Sequence, residues 1–253
     1  TYDELAPYYE MAERLYRVRG GADPLREGDL GGVFFEPPPI SAGGRELFEH
    51  FEFKGLHPYR LPQACEFVDG CGGCQGFLCP KDCKNDSARI CIRPALESHG
   101  AALIDECEVV RLTAGNDAVT GVVCVHGGRE VTLTSEIVVL AAGALETTRL
   151  LLRSNSPAWS EGLANGTGLV GRNLRGHYVD LYPVQTNERE DLPGNQKELA
   201  FNDFYAAGEE KLGTVQSFGA LPPSDIVLAE MRRDFRESGW GWLAPTFALA
   251  KPF

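Results

Sequence analysis

The sequence predicts a mixed α/β fold in which a three-stranded β-meander lies between two buried strands, with a helix directly after the second. Three observations carry this prediction. β-Branched residues dominate positions 107–141, with turn residues at the breaks. The apolar run that follows Glu136 leads into Ala141-Ala142-Gly143. A leucine-rich helical pattern follows at once.

Residues 1–17, "TYDELAPYYEMAERLYR", space Tyr2, Leu5, Tyr9, Ala12 and Tyr16 by threes and fours, as one helix face requires. Thr1 and Glu4 form a capping-box pattern, while Pro7 marks an alternative start where its missing N–H costs no bond. Residues 18–46 carry Gly-Gly pairs and "EPPPI" and read as loop. Nothing periodic appears until about residue 87, so 18–86 is expected to be held by tertiary contacts or by a bound group. "SARICIRPALESHG" reads as a short helix stopped by Gly100. "AALID", residues 101–105, reads as a short strand. The meander "ECEVVRLTA", "AVTGVVCV" and "REVTLT" follows, with turns at Gly115-Asn116-Asp117 and Gly127-Gly128. Glu136–Ala141 is continuously apolar after its first residue, as expected of a parallel strand covered on both faces.

Ala142-Gly143-Ala144 then joins this strand to the helix "LETTRLLLRSN". Small side chains there would let a phosphate reach the backbone, and the helix N-terminus would offer unpaired N–H groups and partial positive charge. A tight corner common to α/β proteins is the alternative reading.

Composition narrows the function. The chain has 253 residues, enough for one large or two modest domains. A net charge of −12 argues against nucleic acid and anionic membrane surfaces as partners. No apolar run reaches the roughly 18–20 residues of a membrane span. There is no G-x-G-x-x-G, no G-x-S-x-G and no internal repeat. The chain opens at Thr1 and stops in "ALAKPF", which suggests a piece of a longer protein. Six of its eight cysteines fall between residues 65 and 91. Beside an α/β core that needs no staples, they read as reduced thiols or metal ligands in a cytoplasmic protein. His50, His57, His99 and His126 stand singly without metal-ligand spacing, His99 and His126 in surface loops.

"VVLAAGALETTRLLLRSN" followed by "GLVGRNLRGHYVD", together with "TYDELAPYYEMAERL" and "PALESHGAALIDECEVVRL", resembles the glucose-methanol-choline (GMC) family of FAD-dependent alcohol oxidoreductases. The resemblance runs in order through most of the chain. It departs in lacking the amino-terminal glycine motif and the carboxy-terminal region that carries the family's catalytic residues, and in having Gly176 where an Asp usually precedes the box histidine. No catalytic residue is therefore expected within this stretch.

The resemblance implies part of a Rossmann-like FAD-binding domain and part of a substrate-binding domain. The expected boundaries are 1–94 for a helix and a cysteine-rich lid, 95–180 for the FAD portion and 181–253 for the start of the substrate domain. It implies that the Val109 backbone meets the adenine, that Ala142 and Gly143 lie beside the ADP moiety, and that Asn173 and His177 form the family's box, with His177 structural. The reaction would be oxidation of a CH–OH group by hydride transfer to flavin N5. Sugar-like, cyclitol, sterol and aliphatic alcohols all fit as small-molecule substrates, and oxygen, a quinone or a protein as electron acceptor. Phe201, Phe204, Tyr205, Trp240 and Trp242 would line a substrate pocket or pack the core. A non-catalytic binding module or remnant is the reading from a different class.

"DGCGGCQGFLCPKDCKND" spaces its cysteines as Cys71-x2-Cys74-x4-Cys79-x3-Cys83. Three readings stay open. The four could hold an iron–sulfur cluster that takes electrons from the flavin, as in some flavin dehydrogenases resembling the family. They could hold structural zinc. They could be reduced or disulfide-paired thiols that stiffen a loop over the flavin.

Overall fold

The computed structural model describes residues 1–26, 34–71, 79–182, 184, 187, 197–206, 211–218 and 233. Its elements are, in order, helices α1 (Tyr2–Leu15) and α2 (Ala42–Phe53), strand β1 (Tyr59–Arg60), a π-helical turn (Ala88–Ile92) running into α3 (Arg93–Ser98), strands β2 (Cys107–Ala114), β3 (Val119–His126) and β4 (Arg129–Leu133), helix α4 (Gly143–Arg153), β5 (Leu199–Phe201), α5 (Asp203–Ala206) and β6 (Val215–Gln216). They fall into two compact units, residues 1–99 with 182–253, and residues 100–181. Among the described residues, no helix is long and apolar enough to cross a membrane.

In the first unit, α1 passes through Pro7 instead of starting there. The Thr1 amine donates to Glu4 Oε2 at 2.5 Å, so the first turn is already tied when Pro7 removes one N–H from the second. The π turn sits just before Pro94, the second residue of α3. A proline there cannot donate to the carbonyl four residues back, and the widened turn accommodates the break.

Helix α2 is absent from the sequence-based reading because Gly43-Gly44 lowers its intrinsic propensity. The fold supplies the compensation. Ser41 caps the helix, its Oγ accepting from Gly44 N at 2.9 Å. Buried Glu198 completes the cap, accepting from Ser41 N at 2.8 Å and from Ser41 Oγ at 2.6 Å. A side chain at position 44 would collide with the Glu198 carboxylate, which explains the glycine. Glu198 immediately precedes β5, the centre of the sheet β1-β5-β6. Phe201 of β5 is buried, with its ring 5.0 Å from Phe51 of α2 and 5.9 Å from Phe204. It is a core residue, whereas Phe204 and Tyr205 are exposed and Trp240 and Trp242 lie outside the described residues.

Polar tertiary contacts tie the end of α1 to described loop residues near residues 66 and 85. Buried Asn85 donates through Nδ2 to Tyr16 O at 2.9 Å and to Glu66 Oε1 at 3.1 Å. Arg17 Nε and Arg19 Nη2 close on the same carboxylate at 3.0 and 3.2 Å. Burial alone would raise the Glu66 pKa, but the hydrogen bonds from Arg19 and Asn85 and the two arginine charges hold it below its ordinary value. A depressed carboxylate stabilises the fold above its unfolded pKa of about 4.3, and that stability is lost as pH falls through the folded value. Glu66→Gln is therefore expected to lower stability by about 1–3 kcal/mol at neutral pH. Its deficit against the unsubstituted protein should shrink on acidification below about pH 4, as read from urea midpoints at pH 3 to 7.

The second unit is built on the antiparallel meander β2-β3-β4, in which Leu112 pairs with Val122 and Cys124 with Val131. Its tight turn uses Gly127 and Gly128 at φ 55° and 74°, a conformation that suits a two-residue hairpin. His126 is the last residue of β3, not a loop residue. Leu112, Leu150 and Leu163 form the core, with Val138, Leu140 and Trp159 packed on it. Ser154 joins helix to sheet: its buried Oγ accepts from Leu112 N at 2.8 Å and donates to Leu150 O at 2.6 Å. Ser154→Ala leaves a buried N–H unpaired, an expected loss of about 1–3 kcal/mol visible as a lower urea midpoint at unchanged slope.

Two expected strands do not form among the described residues. Residues 101–105 are exposed and carry no β-pairing. Glu136–Ala141 is covered on one face only: Val138 and Leu140 pack on the core, while Ile137 and Val139 are 78 % and 80 % exposed. Apolar character favours burial, but a strand also needs a neighbouring backbone to complete its ladder, and no described residue supplies one here.

Candidate functional site

The first candidate site is the start of α4. Gly143 adopts φ 81°, and nothing lies within 4 Å of where a side chain would stand. The preceding Ala142 makes no side-chain capping bond. The N–H groups of the first turn therefore open towards exposed, small residues, which is what an approaching phosphate requires. Val109 lies on β2 opposite Cys124, and a β-bulge follows it at Val110. A bulge leaves one residue out of the ladder, here Val110 beside Val109. Asn173 adopts φ 59°, and it and His177 lie in an exposed, irregular stretch. The box begins against the side of α4, where a Cβ on Gly171 would lie 3.3 Å from Thr148 Cγ2 and 3.2 Å from Leu152 Cδ1. Ala142 and Gly143 thus leave the start of α4 open, and Val109 stands beside the irregularity in β2.

The second candidate site is a thiol-lined pocket of about 400 Å³ in the first unit, bordered by Cys65, Phe67, Cys71, Cys79, Cys83 and Lys84 among others. One bridge and two turns of chain deliver the thiols. Cys65 bridges to Lys84 in antiparallel fashion, flanked by Glu66 N to Cys83 O at 2.8 Å and Asn85 N to Ala64 O at 2.9 Å. Cys71 N donates to Val68 O at 2.8 Å across a turn pinned by Lys81 Nζ on Asp69 O at 2.6 Å. Cys79 and Cys83 flank a turn closed by Asp82 N to Cys79 O at 3.2 Å.

Cys83 Sγ, fully buried, is the hub: Cys79 Sγ lies at 3.2 Å, Cys71 Sγ at 3.5 Å and Cys65 Sγ at 4.0 Å. All exceed the roughly 2.05 Å of a disulfide bond, and the described cysteines are free thiols. The Cys83 backbone N–H and thiol, followed by the N–H groups of Lys81 and Lys84, draw the Cys79 thiol down to about 7. Burial and donation to Cys79 push the Cys83 thiol up. Of the two, Cys79 is the more easily ionised sulfur. Cys74 lies outside the described residues. Cys65, which the spacing pattern leaves out, belongs to the cluster because of a contact with residue 84 that no local signal announces.

His57 pairs with Asp203, its Nδ1 2.7 Å from Asp203 Oδ1 and its backbone N donating to Oδ2 at 3.1 Å. This pair ties the end of α2 to α5 and does not enter the thiol pocket.

The sequence profile described as GMC oxidoreductase matches residues 37–179, more than half of the chain. The chain belongs to the GMC oxidoreductase family. Within the family it is 30% identical over 189 residues to the 6'''-hydroxyparomomycin C oxidase of Streptomyces lividus, covering 69% of this chain and 34% of that protein. It is 30% identical over 244 residues to the gluconate 2-dehydrogenase flavoprotein of Pantoea cypripedii, covering 81% and 39%. It is 27% identical over 233 residues to the 2-methyl-1,2-propanediol dehydrogenase of Mycolicibacterium austroafricanum, covering 87% and 42%. The chain therefore spans about two fifths or less of the length of these relatives. The GMC match takes in the meander, α4 and the Gly171–His177 box, and all four thiols of the pocket.

Proposed function

We propose that this chain forms part of the FAD-holding region of a GMC enzyme that oxidises a CH–OH group of a small alcohol or sugar-like molecule. The observation that carries the reading is the open turn at Gly143, with its positive φ and uncapped helix start, inside a segment matched by the family. The names of the relatives point the same way, one being a flavoprotein and the others an oxidase and a dehydrogenase of hydroxylated compounds.

Ala142 and Gly143 would let the cofactor's pyrophosphate reach the first N–H groups of α4, whose partial positive charge suits it. The backbone at Val109 would meet the adenine, and Asn173 and His177 would shape the chain beside the flavin. Bound FAD would supply the hydride acceptor for the alcohol carbon.

The test is purification of the full-length protein, measurement of FAD released on denaturation, and reduction by a panel of polyols, aminoglycoside-like sugars and aliphatic diols. Stoichiometric FAD bleached by one class of alcohol is the expected result. Protein that neither carries nor takes up FAD would sink the proposal.

A further inference from the structure

The described thiols are gathered more tightly than the ligands of an iron–sulfur cluster would be, with Cys74 of the expected run outside the described residues. A 4Fe–4S cluster carries one thiolate per iron and a 2Fe–2S cluster at most two per iron, so neither brings three ligand sulfurs close together. Here Cys65, Cys71 and Cys83 place their sulfurs all within 4.8 Å of one another. A single tetrahedral ion with metal–sulfur bonds of about 2.3 Å requires sulfurs about 3.8 Å apart. The separations of 3.5 and 4.0 Å from Cys83 to Cys71 and Cys65 bracket that value, and Cys79 stands 3.2 Å from Cys83 on the turn that follows it.

We propose that Cys65, Cys71, Cys79 and Cys83 bind one thiophilic divalent metal ion, zinc being the ion whose chemistry best suits four sulfurs in a tetrahedron, with no inorganic sulfide. Cys65, Cys71 and Cys83 are already gathered, while Cys79 stands outside that group of three, reaches Cys83 at 3.2 Å, and would turn its thiol inward to complete the tetrahedron. Each sulfur gives its S–H proton to solvent as a metal–sulfur bond forms, so four thiols and one dication leave a site of charge −2. The surroundings suit that charge. Lys84 and Lys197 line the pocket, and Cys83 N points at Cys79 Sγ at 3.4 Å. The ion would join segments that share no regular secondary structure: the Cys65–Lys84 bridge, the Val68–Cys71 turn and the Cys79–Asp82 turn. It would thus act on the folding of the first unit, independently of the flavin reading.

Three measurements on the full-length protein test this. Elemental analysis with an acid-labile sulfide assay is expected to show one zinc, or one iron without sulfide, per chain. After removal of that ion under reducing conditions, Co2+ should give one equivalent of thiolate-to-cobalt charge-transfer absorbance. Cys65→Ser should weaken Co2+ binding at least about 10-fold, since loss of a ligand's hydrogen-bond partner alone can cost that much. Cys74→Ser and Cys91→Ser should retain it. Iron accompanied by labile sulfide would overturn the proposal in favour of a cluster. A chain that holds no metal and takes up no Co2+ would overturn the site altogether. Unchanged affinity in Cys65→Ser with loss in Cys74→Ser would return the ligand set to the Cys71–Cys83 run. If Cys65→Ser does not fold, the metal-to-sulfide ratio and cobalt stoichiometry of the unsubstituted protein decide alone. FAD content, measured in the same samples, separates failure here from failure of the flavin reading.

Discussion

Replacing Glu198 with alanine is expected to destabilise the protein by about 2–4 kcal/mol, because it leaves the Ser41 N–H and hydroxyl without their shared acceptor and removes a negative charge from the start of α2. The same carboxylate explains Gly44, where any side chain would collide with it. Gly44→Ala should therefore also destabilise, but the double substitution should cost less than the sum of the two, since removing Glu198 frees the space. The effect should reach the thiol pocket. Gln63 donates to the carbonyl of Lys197, the residue before Glu198, and both Gln63 and Lys197 line the pocket. Urea unfolding gives the stability change, and alkylation of Cys83 under native conditions gives its consequence for the pocket. A loss under about 0.5 kcal/mol, the size of an ordinary surface change, would mean that Glu198 does not secure α2.

Gly143→Asp is expected to reduce flavin retention at least about 10-fold. An L-residue at φ 81° carries about 1–2 kcal/mol of strain, and a carboxylate at the start of α4 would repel a pyrophosphate there. Gly143→Ala separates the two causes. It bears the strain without the charge and should lose several-fold, with stability reduced by a similar energy. Wild-type FAD content in Gly143→Asp would remove the observation on which the proposed cofactor site rests, whereas loss of FAD in proportion to unfolding alone would assign the glycine to folding. Measuring flavin per folded protein, with folding followed separately by circular dichroism, distinguishes these outcomes.

Where local chemistry dominates, the sequence is an accurate guide. The meander is announced by β-branched residues broken by Gly and Asn, and it forms between Cys107 and Leu133. Helix α4 follows from its leucine spacing, and the small residues ahead of it mark the open turn. Family membership was legible for the same reason, since it rests on these runs and on the Gly171–His177 box in order. Helix α2 was not legible, because its two glycines argue against a helix and the Ser41 cap that compensates them is completed by Glu198, more than 150 residues away. The run at 136–141 erred the other way: its apolar residues promise a strand, but a strand is a property of two backbones.

The thiol cluster divides along the same line. The sequence by itself determined that cysteines would crowd around residues 71–83, because glycines and short spacings keep that chain close to itself. Only the tertiary structure decided that Cys65 joins them, through its bridge to Lys84 and the buried Asn85 beside it, and that the sulfurs come within 4.8 Å. Spacing along a chain limits which groups can meet. Their separation in space, which selects between a cluster and a single ion, depends on long-range hydrogen bonds whose partners are not adjacent in sequence.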